Sequence, residues 1–297
     1  MLLYYFIAIL AALCWAIASL ISADVTRKIG GLAFNRLRLF FVSIMLIICT
    51  FYLDTWETIN QEFLVTILLS GIIGIFLGDT LLFIALQKIG PRRNNILFAL
   101  AAPFTVILNI FFLNEKMSLI NLIGCFSVFI GVVIAIAYGT SNNSDHRWEK
   151  IEGSLFIGIC FGILAALCQA TGLIMMKPIL DNGADPIASA AIRTLISSFF
   201  LTFTLFNKSK NFVSKIPINT SIIIKSIISG FLGRALGMSL LLISLQKADA
   251  GIVATLSSTS PIMILFFIWI LTKKIPSRGA WFGTIVAIIG TGLIFIY

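Results

Sequence analysis

Residues 70–88 read SGIIGIFLGDTLLFIALQK, and residues 229–247 read SGFLGRALGMSLLLISLQK. A shift of 159 residues aligns the two stretches, and the same shift pairs Gly124 with Gly283 and Gly131 with Gly290. An internal repeat decides the architecture of a chain before any single residue does, because each copy is expected to fold in the same way. The sequence is therefore predicted to form two equivalent halves.

The composition indicates that lipid is the solvent of this chain. Hydrophobic residues make up 59% and charged residues only 11%, whereas soluble domains carry about 25% charged residues. Apolar runs near ~20 residues match the ~30 Å hydrocarbon core of a bilayer. Such runs predict an all-α polytopic membrane protein with ten transmembrane helices, at about 3–22, 36–53, 63–86, 95–113, 118–138, 153–175, 187–206, 219–245, 251–271 and 277–297.

The ten predicted helices divide into five and five. Residues 1–138 form the first repeat, residues 139–152 a polar linker, and residues 153–297 the second repeat. Because five is odd, the second copy must enter the membrane from the opposite side. The chain is therefore predicted to consist of two inverted five-helix repeats, an arrangement that recurs in transporters.

Loop charges agree with this inversion. Most of the 21 lysines and arginines fall in the loops that follow odd-numbered helices, which assigns those loops to the cytoplasm and both termini to the outside. Corresponding loops differ in charge: residues 88–93 are basic where residues 247–250 carry no net charge, and residues 54–62 are acidic where residues 208–215 are basic.

Several short motifs recur in the two halves, and together they resemble one known family. They are Leu13-Cys14-Trp15 in the first helix, an arginine opening the second helix of each repeat (Arg38, Arg193), the prolines Pro103 and Pro261, the Asn-Glu-Lys turn at 114–116, and Gly-x6-Gly in each fifth helix. In order and spacing the chain resembles the drug/metabolite transporter superfamily, specifically its EamA-type ten-helix permeases. The resemblance implies transport of small metabolites or drugs, often as efflux, across the cell (plasma or inner) membrane.

Two ionisable residues lie deep in apolar runs, Asp79 in the third predicted helix and Arg234 in the eighth. A charge at mid-bilayer costs roughly 2.5–3.5 kcal/mol on insertion scales, so it usually faces a cavity or a partner. We expect both side chains to face a central cavity, with Asp79 binding a cationic group or a coupling proton and Arg234 an anionic group. A purely structural ion pair, or snorkelling of either side chain, is the alternative.

Other candidate site residues are polar or aromatic groups inside apolar helices. Trp15 and Gln169 occupy equivalent positions of the repeat, and either cavity lining or ordinary packing would explain them. Ser257, Ser258, Thr259 and Ser260 form a polar run in one half only, as substrate contacts or as hydroxyls satisfied on the preceding turn. Pro103 and Pro261 are expected to kink their helices. Arg38 and Arg193, at apparent helix starts, are expected to anchor headgroups or helix ends.

These features favour a permease that moves a small polar or amphipathic metabolite by alternating access, proton-coupled at Asp79 or facilitated. No Walker A motif, metal-binding motif or cofactor motif is found, and the chain is predicted not to be an enzyme. The net charge of +9 is assigned to lipid headgroups and not to nucleic acid. A lipid-linked flippase, an integral-membrane enzyme and a non-transporting membrane partner are the alternatives, and the sequence leaves a homo-oligomer open.

Overall fold

A computed structural model describes residues 1–113, 117–138, 154–206, 214–272 and 277–296. The Asn-Glu-Lys turn at 114–116 and the whole predicted linker at 139–152 lie outside these residues. The described part of the chain is helical and contains no strand. We number the helices α1 (Leu2–Ile29), α2 (Gly31–Leu53), α3 (Gln61–Gly90), α4 (91–113), α5 (Leu119–Ala137), α6 (Leu155–Asp181), α7 (Pro186–Phe203), α8 (Thr220–Lys247), α9 (250–272) and α10 (Arg278–Ile296).

Six of these helices, α1, α2, α3, α6, α7 and α8, are long and apolar enough to cross a membrane. Shorter apolar helices at Ala101–Leu113, Leu119–Ile134, Ala250–Ile264 and Arg278–Gly290 lie where the other four spans are predicted. Large apolar side chains such as Phe111, Phe199 and Ile288 are exposed on the outer surface. Such a surface suits lipid and not water, so the all-α multi-pass membrane fold is confirmed.

The helices pair across the two halves. Helix α1 packs on α8 and α6 packs on α3, while α2 packs on α7, α4 on α9 and α5 on α10. Each helix of one half thus contacts a helix of the other, and both members of each repeat-related pair make the same kind of contact. The buried face of α1 consists largely of alanine, including Ala8, Ala11 and Ala12. Small residues let helix backbones approach closely where lipid offers no hydrophobic driving force.

Helices α5 and α10 show directly that the halves are inverted. A Cβ atom on Gly290 would lie 2.7 Å from the backbone nitrogen of Val128 and 2.8 Å from the carbonyl oxygen of Gly124. Near the other end of α5, Gly131 packs against the backbone of Gly283 and Ala287. Residues later in α5 thus contact residues earlier in α10, so these two equivalent helices are antiparallel. Two halves with the same order of helices must then run in opposite directions.

Both α3 and α8 contain a π-helical segment, Ile72–Leu77 in α3 and Phe231–Leu236 in α8. These segments correspond under the 159-residue shift. A π-helical segment adds a residue to the turn, which rotates the side chains that follow it, and such segments often lie at functional sites. Arg234 lies inside the second segment, and Asp79 follows the first by two residues.

Helices α4 and α9 are interrupted at equivalent places. The α-helix breaks at residues 99–100 and again at 258–259, and Pro103 and Pro261 lie in the first turn of the segments that follow. A proline has no backbone N–H to donate to a carbonyl of the preceding turn. It is tolerated in the first turn of a helix, where that hydrogen bond is not made. The interruption therefore precedes each proline by a few residues and is not centred on it.

Candidate functional site

Two arginines converge on one carboxylate at the centre of the molecule. Arg38 of α2 donates from Nη2 to Oδ2 of Asp79 at 2.5 Å, and Arg234 of α8 donates to the same oxygen. Exposed fractions are 5% for Arg38, 3% for Asp79 and 4% for Arg234. Asp79 and Arg234 thus form the buried ion pair that the sequence analysis gave as the alternative, with Arg38 as a third member. We refer to these three residues as the arginine cluster.

Arg38 is further held by its neighbours. Its Nη2 also donates to Oδ1 of Asn35 at 3.2 Å. Its guanidinium lies 4.6 Å from the ring centre of Phe83 and 5.9 Å from that of Phe34, and those two rings pack edge to face. Cation–π contacts of this kind are strongest where water is excluded. The side chain is therefore fixed from three directions.

The prediction that Arg38 and Arg193 anchor headgroups or helix ends is wrong. Helix α2 begins at Gly31 and α7 begins at Pro186, so both arginines lie about two turns inside their helices. Both are buried, and Arg193 is only 1% exposed. The apolar run at 36–53 starts five residues after the helix does, which hides how deep Arg38 lies. The run at 187–206 starts within one residue of Pro186, so the burial of Arg193 follows from the packing of α7 and not from a displaced helix start. Neither arginine lies in a loop, so neither counts in the comparison of loop charges.

A cavity of about 90 Å³ opens beside the arginine cluster. Helices from both halves line it, and five of the predicted site residues take part: Trp15, Asp79, Gln169, Arg234 and Ser260. A smaller cavity of about 20 Å³ shares Trp15, Gln169 and Ser260 and adds Ser257 and Ser258. Together these spaces form what we call the central cavity.

Trp15 and the hydroxyl run of α9 have their hydrogen bonds within the protein. Trp15 donates from Nε1 to the carbonyl oxygen of Gly233, at 2.7 Å, in the π-helical segment of α8. Ser257, Ser258 and Thr259 donate to carbonyls of the preceding turn at 2.7–3.0 Å. Thr259 is buried and lines neither part of the central cavity. Ser260 lines both parts, so it is the member of the run best placed to contact a ligand.

Sequence reasoning missed two asparagine amides that line the cavity. Asn94 and Asn95 line it together with Phe98. Asn94 is buried, and its Oδ1 has no hydrogen-bond partner among the described residues. Asn94 lies between the predicted spans at 63–86 and 95–113, where polar residues indicate a loop, and Asn95 begins the second of these spans. In the structure α4 begins directly after Gly90, whose φ is 79°, so both asparagines lie near the start of this helix.

A pair of halves that run in opposite directions around a charged central cavity defines a membrane transporter of the inverted-repeat type. The sequence matches the model of the EamA-like transporter family at residues 2–137 and 156–296. The chain therefore belongs to the EamA-like transporter family.

Two relatives agree with this assignment, and a solved structure shares the fold. The chain is 22% identical over 240 residues to "Uncharacterized transporter sll1164" of Synechocystis sp. (strain ATCC 27184 / PCC 6803 / Kazusa), covering 80% of this chain and 67% of the relative. It is 26% identical over 177 residues to "Uncharacterized transporter YyaM" of Bacillus subtilis (strain 168), covering 59% of this chain and 56% of the relative. A crystal structure with 13% identity superposes with a TM-score of 0.80, covering 99% of this chain and 96% of that one, and shares the fold.

Proposed function

We propose that this transporter moves a small organic anion by alternating access, with Arg38 and Arg234 as the anion-binding groups. The observation that carries the proposal is the convergence of two buried guanidinium groups on one carboxylate oxygen in the cavity wall. Two positive charges face one negative charge. An anion is the ligand that balances such a site, because uncompensated charge is costly in a low-dielectric interior.

The hydrogen-bonding capacity of the arginines supports the same ligand. Nε and Nη1 of Arg234 and Nε of Arg38 have no partner among the described residues. A guanidinium presents its N–H groups as a planar fork that matches carboxylate and phosphate oxygens. The arginine cluster therefore has donors to spare, whereas the Oδ2 of Asp79 already accepts from two arginines. This arrangement argues against Asp79 as the receptor of a cationic substrate group.

The rest of the cavity lining favours a ligand with further polar groups. Asn94, Asn95, Gln169 and Ser260 contribute amide and hydroxyl groups to this lining. An unpaired buried carbonyl oxygen such as Oδ1 of Asn94 has to find a donor, or it costs free energy. A hydroxyl or amino group on the substrate would supply that donor. The substrate proposed is therefore an organic anion that also carries hydrogen-bond donors.

Alternating access is proposed from the size and position of the cavity. Its volume of about 90 Å³ is below the ~300–1,000 Å³ typical of sites for small organic ligands. The site must therefore widen to accept a metabolite. Because the cavity lies between two inverted halves, a rocking of one half against the other would open it to each side of the membrane in turn.

Asp79 remains the proposed point of proton coupling. A protonated Asp79 is neutral and would release the guanidinium groups of Arg38 and Arg234 to the substrate. Binding of an anion and binding of a proton would then favour each other. The direction of transport is proposed as export, on the habit of the family alone.

The lipid-flippase alternative requires a polar cavity that opens sideways to lipid. A groove of about 350 Å³ does lie between α1, α9 and α10, lined by residues such as Leu13, Phe266 and Trp281. Its described lining is almost entirely apolar and shares no residue with the central cavity. A headgroup therefore has no polar path along this groove to the arginine cluster, and a soluble anion is the better proposal.

The test is flux through the purified protein in liposomes, with Arg234→Gln as the variant. Arg278→Gln is the matched control, because Arg278 is exposed at the start of α10. The expected result is anion flux in the wild type and the control, and a strong loss in Arg234→Gln.

A further inference from the structure

Arg193 is the structural counterpart of Arg38 in the second half. Arg38 packs against Gly230 and Gly233 of α8, and Arg193 packs against Gly71 and Gly74 of α3. The two glycine pairs correspond under the 159-residue shift. The inverted repeat therefore builds the same arginine pocket twice, once in each half.

The two arginines differ in the side chain that their guanidinium groups contact. Arg38 binds Asp79, and the residue that corresponds to Asp79 in the second half is Met238. Nη1 of Arg193 lies 3.8 Å from Sδ of Met238, and Nε of Arg193 has no hydrogen-bond partner among the residues that the structure describes. In the part of the chain that the structure describes, no carboxylate forms an ion pair with Arg193.

A thioether does not replace a carboxylate as a partner for arginine. Sulfur in methionine is only a weak acceptor and carries no charge. A buried charge without a counter-charge is strongly unfavourable. Arg38, Arg193 and Arg234 together face Asp79 alone, so the described centre of the molecule holds two more positive than negative charges.

Met238 stands between Arg193 and the central cavity. It lines that cavity, while its sulfur contacts the guanidinium. Methionine is unbranched and has three rotatable side-chain bonds, so it adapts its shape at small cost. A change of rotamer at Met238 would let a ligand in the cavity reach Arg193.

We propose that Arg193 is a second anion-binding group, reached by displacement of Met238, and that it makes the transporter selective for dianions. The inference rests on the proposed function. One negative charge of the substrate would balance the arginine cluster, which has one positive charge in excess of Asp79. The second would balance Arg193, which forms no ion pair with a described carboxylate. The substrate class is thus a small dianion, either a dicarboxylate or a phosphate monoester.

The test compares matched probes on the detergent-purified protein. Succinate is compared with butyrate, and methyl phosphate with dimethyl phosphate, each titrated while the ligand-induced rise in Tm is measured. Wild type is expected to bind the dianion of each pair at least about tenfold more tightly, which is roughly the worth of one charge-assisted hydrogen bond. Both sources of the dianion, carboxylate and phosphate, are thereby tested separately.

Variants separate the role of Arg193 from a general effect on folding. Arg193→Gln is expected to lose the preference for the dianion while it still binds the monoanion. Met238→Asp places a carboxylate beside Arg193, which would then form the kind of ion pair that Arg38 forms with Asp79. This variant keeps every arginine and is also expected to lose the preference for the dianion. Arg278→Gln, at the exposed start of α10, is the control, in which the preference is retained.

The outcomes distinguish this inference from the proposed function. Equal binding of monoanion and dianion by the wild type, or a preference that survives in both Arg193→Gln and Met238→Asp, would overturn the inference and leave the proposed function standing. Absence of binding for all four probes would contradict both.

Discussion

Asp79 holds two arginines with a single carboxylate oxygen, and this makes it the residue on which the buried centre depends most. Arg38 and Arg234 come from different halves of the repeat, so the carboxylate also ties α2, α3 and α8 together. A buried ion pair adds little stability compared with an apolar substitute, but removal of one partner leaves the other uncompensated. Loss of Asp79 would therefore leave the guanidinium groups of Arg38 and Arg234 without the carboxylate that both contact.

Asp79→Asn is expected to destabilise the protein by about 3–5 kcal/mol, the usual cost of breaking a buried pair by removing one partner. The control is Asp54→Asn at the exposed end of α2, where φ is 52° and asparagine is equally well accommodated; its effect should stay within about 0.5 kcal/mol. The measurement is the free energy of unfolding in mixed micelles. In Asp79→Asn/Arg234→Met one unpaired charge is gone, so part of the loss should be regained. Equal stability of Asp79→Asn and wild type would show that the cluster is not buried as described.

Hydropathy could predict Asp79 and Arg234 because each interrupts a long apolar run. It placed Arg38 at the edge of its run, because the predicted span begins at residue 36 whereas α2 begins at Gly31. The predicted span of α7 begins within one residue of Pro186, and only the packing of the helices shows that Arg193 is buried. Asn94 was missed because polar residues beside a glycine indicate a loop, whereas α4 begins directly after Gly90.

At the scale of elements, the two halves share irregular helical segments as well as regular helices. The π-helical segments of α3 and α8 and the interruptions of α4 and α9 all lie on the walls of the central cavity or next to them. The π-helical segment of α8 includes Gly233, whose carbonyl oxygen accepts from Trp15. A sequence pattern reports which face of a helix is apolar. It does not report the hydrogen-bond spacing of the backbone, so the π-helical segments could not be predicted.

The contact between α5 and α10 supplies the element-scale prediction. In Gly290→Ala the new Cβ would lie under 3.0 Å from backbone atoms of α5, and backbone cannot turn aside as a side chain can. We expect a loss of about 1–3 kcal/mol, as for other overpacked sites, measured by thermal unfolding in detergent. Gly292→Ala, in the same helix, meets no atom within 4 Å. It should be neutral or slightly stabilising, because alanine favours a helix by up to about 1 kcal/mol over glycine. Equal Tm values for the two variants would contradict the antiparallel packing.

At the scale of the whole molecule, composition and the repeat were sufficient to predict an all-α membrane protein with two inverted halves. Lipid requires every backbone group to be satisfied within a helix, so apolar runs translate almost directly into helices. The positions of the loops were predicted less accurately, because α2 begins five residues before its predicted span. The contacts of the buried polar side chains were predicted least accurately, because they depend on the pairing of α1 with α8 and of α3 with α6.

The orientation of the whole molecule remains a prediction from loop charge. Both termini are proposed to lie outside, because the basic loops are expected in the cytoplasm. A periplasm-active or cell-surface reporter fused after Tyr297 is therefore expected to be active, and a cytoplasm-active reporter at the same place to be silent. The reverse pattern would overturn the orientation without affecting the inverted arrangement of the halves.

The central claim is that the arginine cluster carries an organic anion, and anion efflux from liposomes tests it most directly. Liposomes containing the purified protein are loaded with a water-soluble cell extract, and the molecules released are identified by mass spectrometry. For the wild type and Arg278→Gln, the account predicts release of a limited set of organic anions, with amines and sugars retained. For Arg234→Gln it predicts release of the same anions slowed by at least about tenfold, since a hydrogen bond to a charged group is worth about 1.5–3 kcal/mol. Release of cations or neutral molecules in place of anions, or unchanged anion release by Arg234→Gln, would contradict the claim.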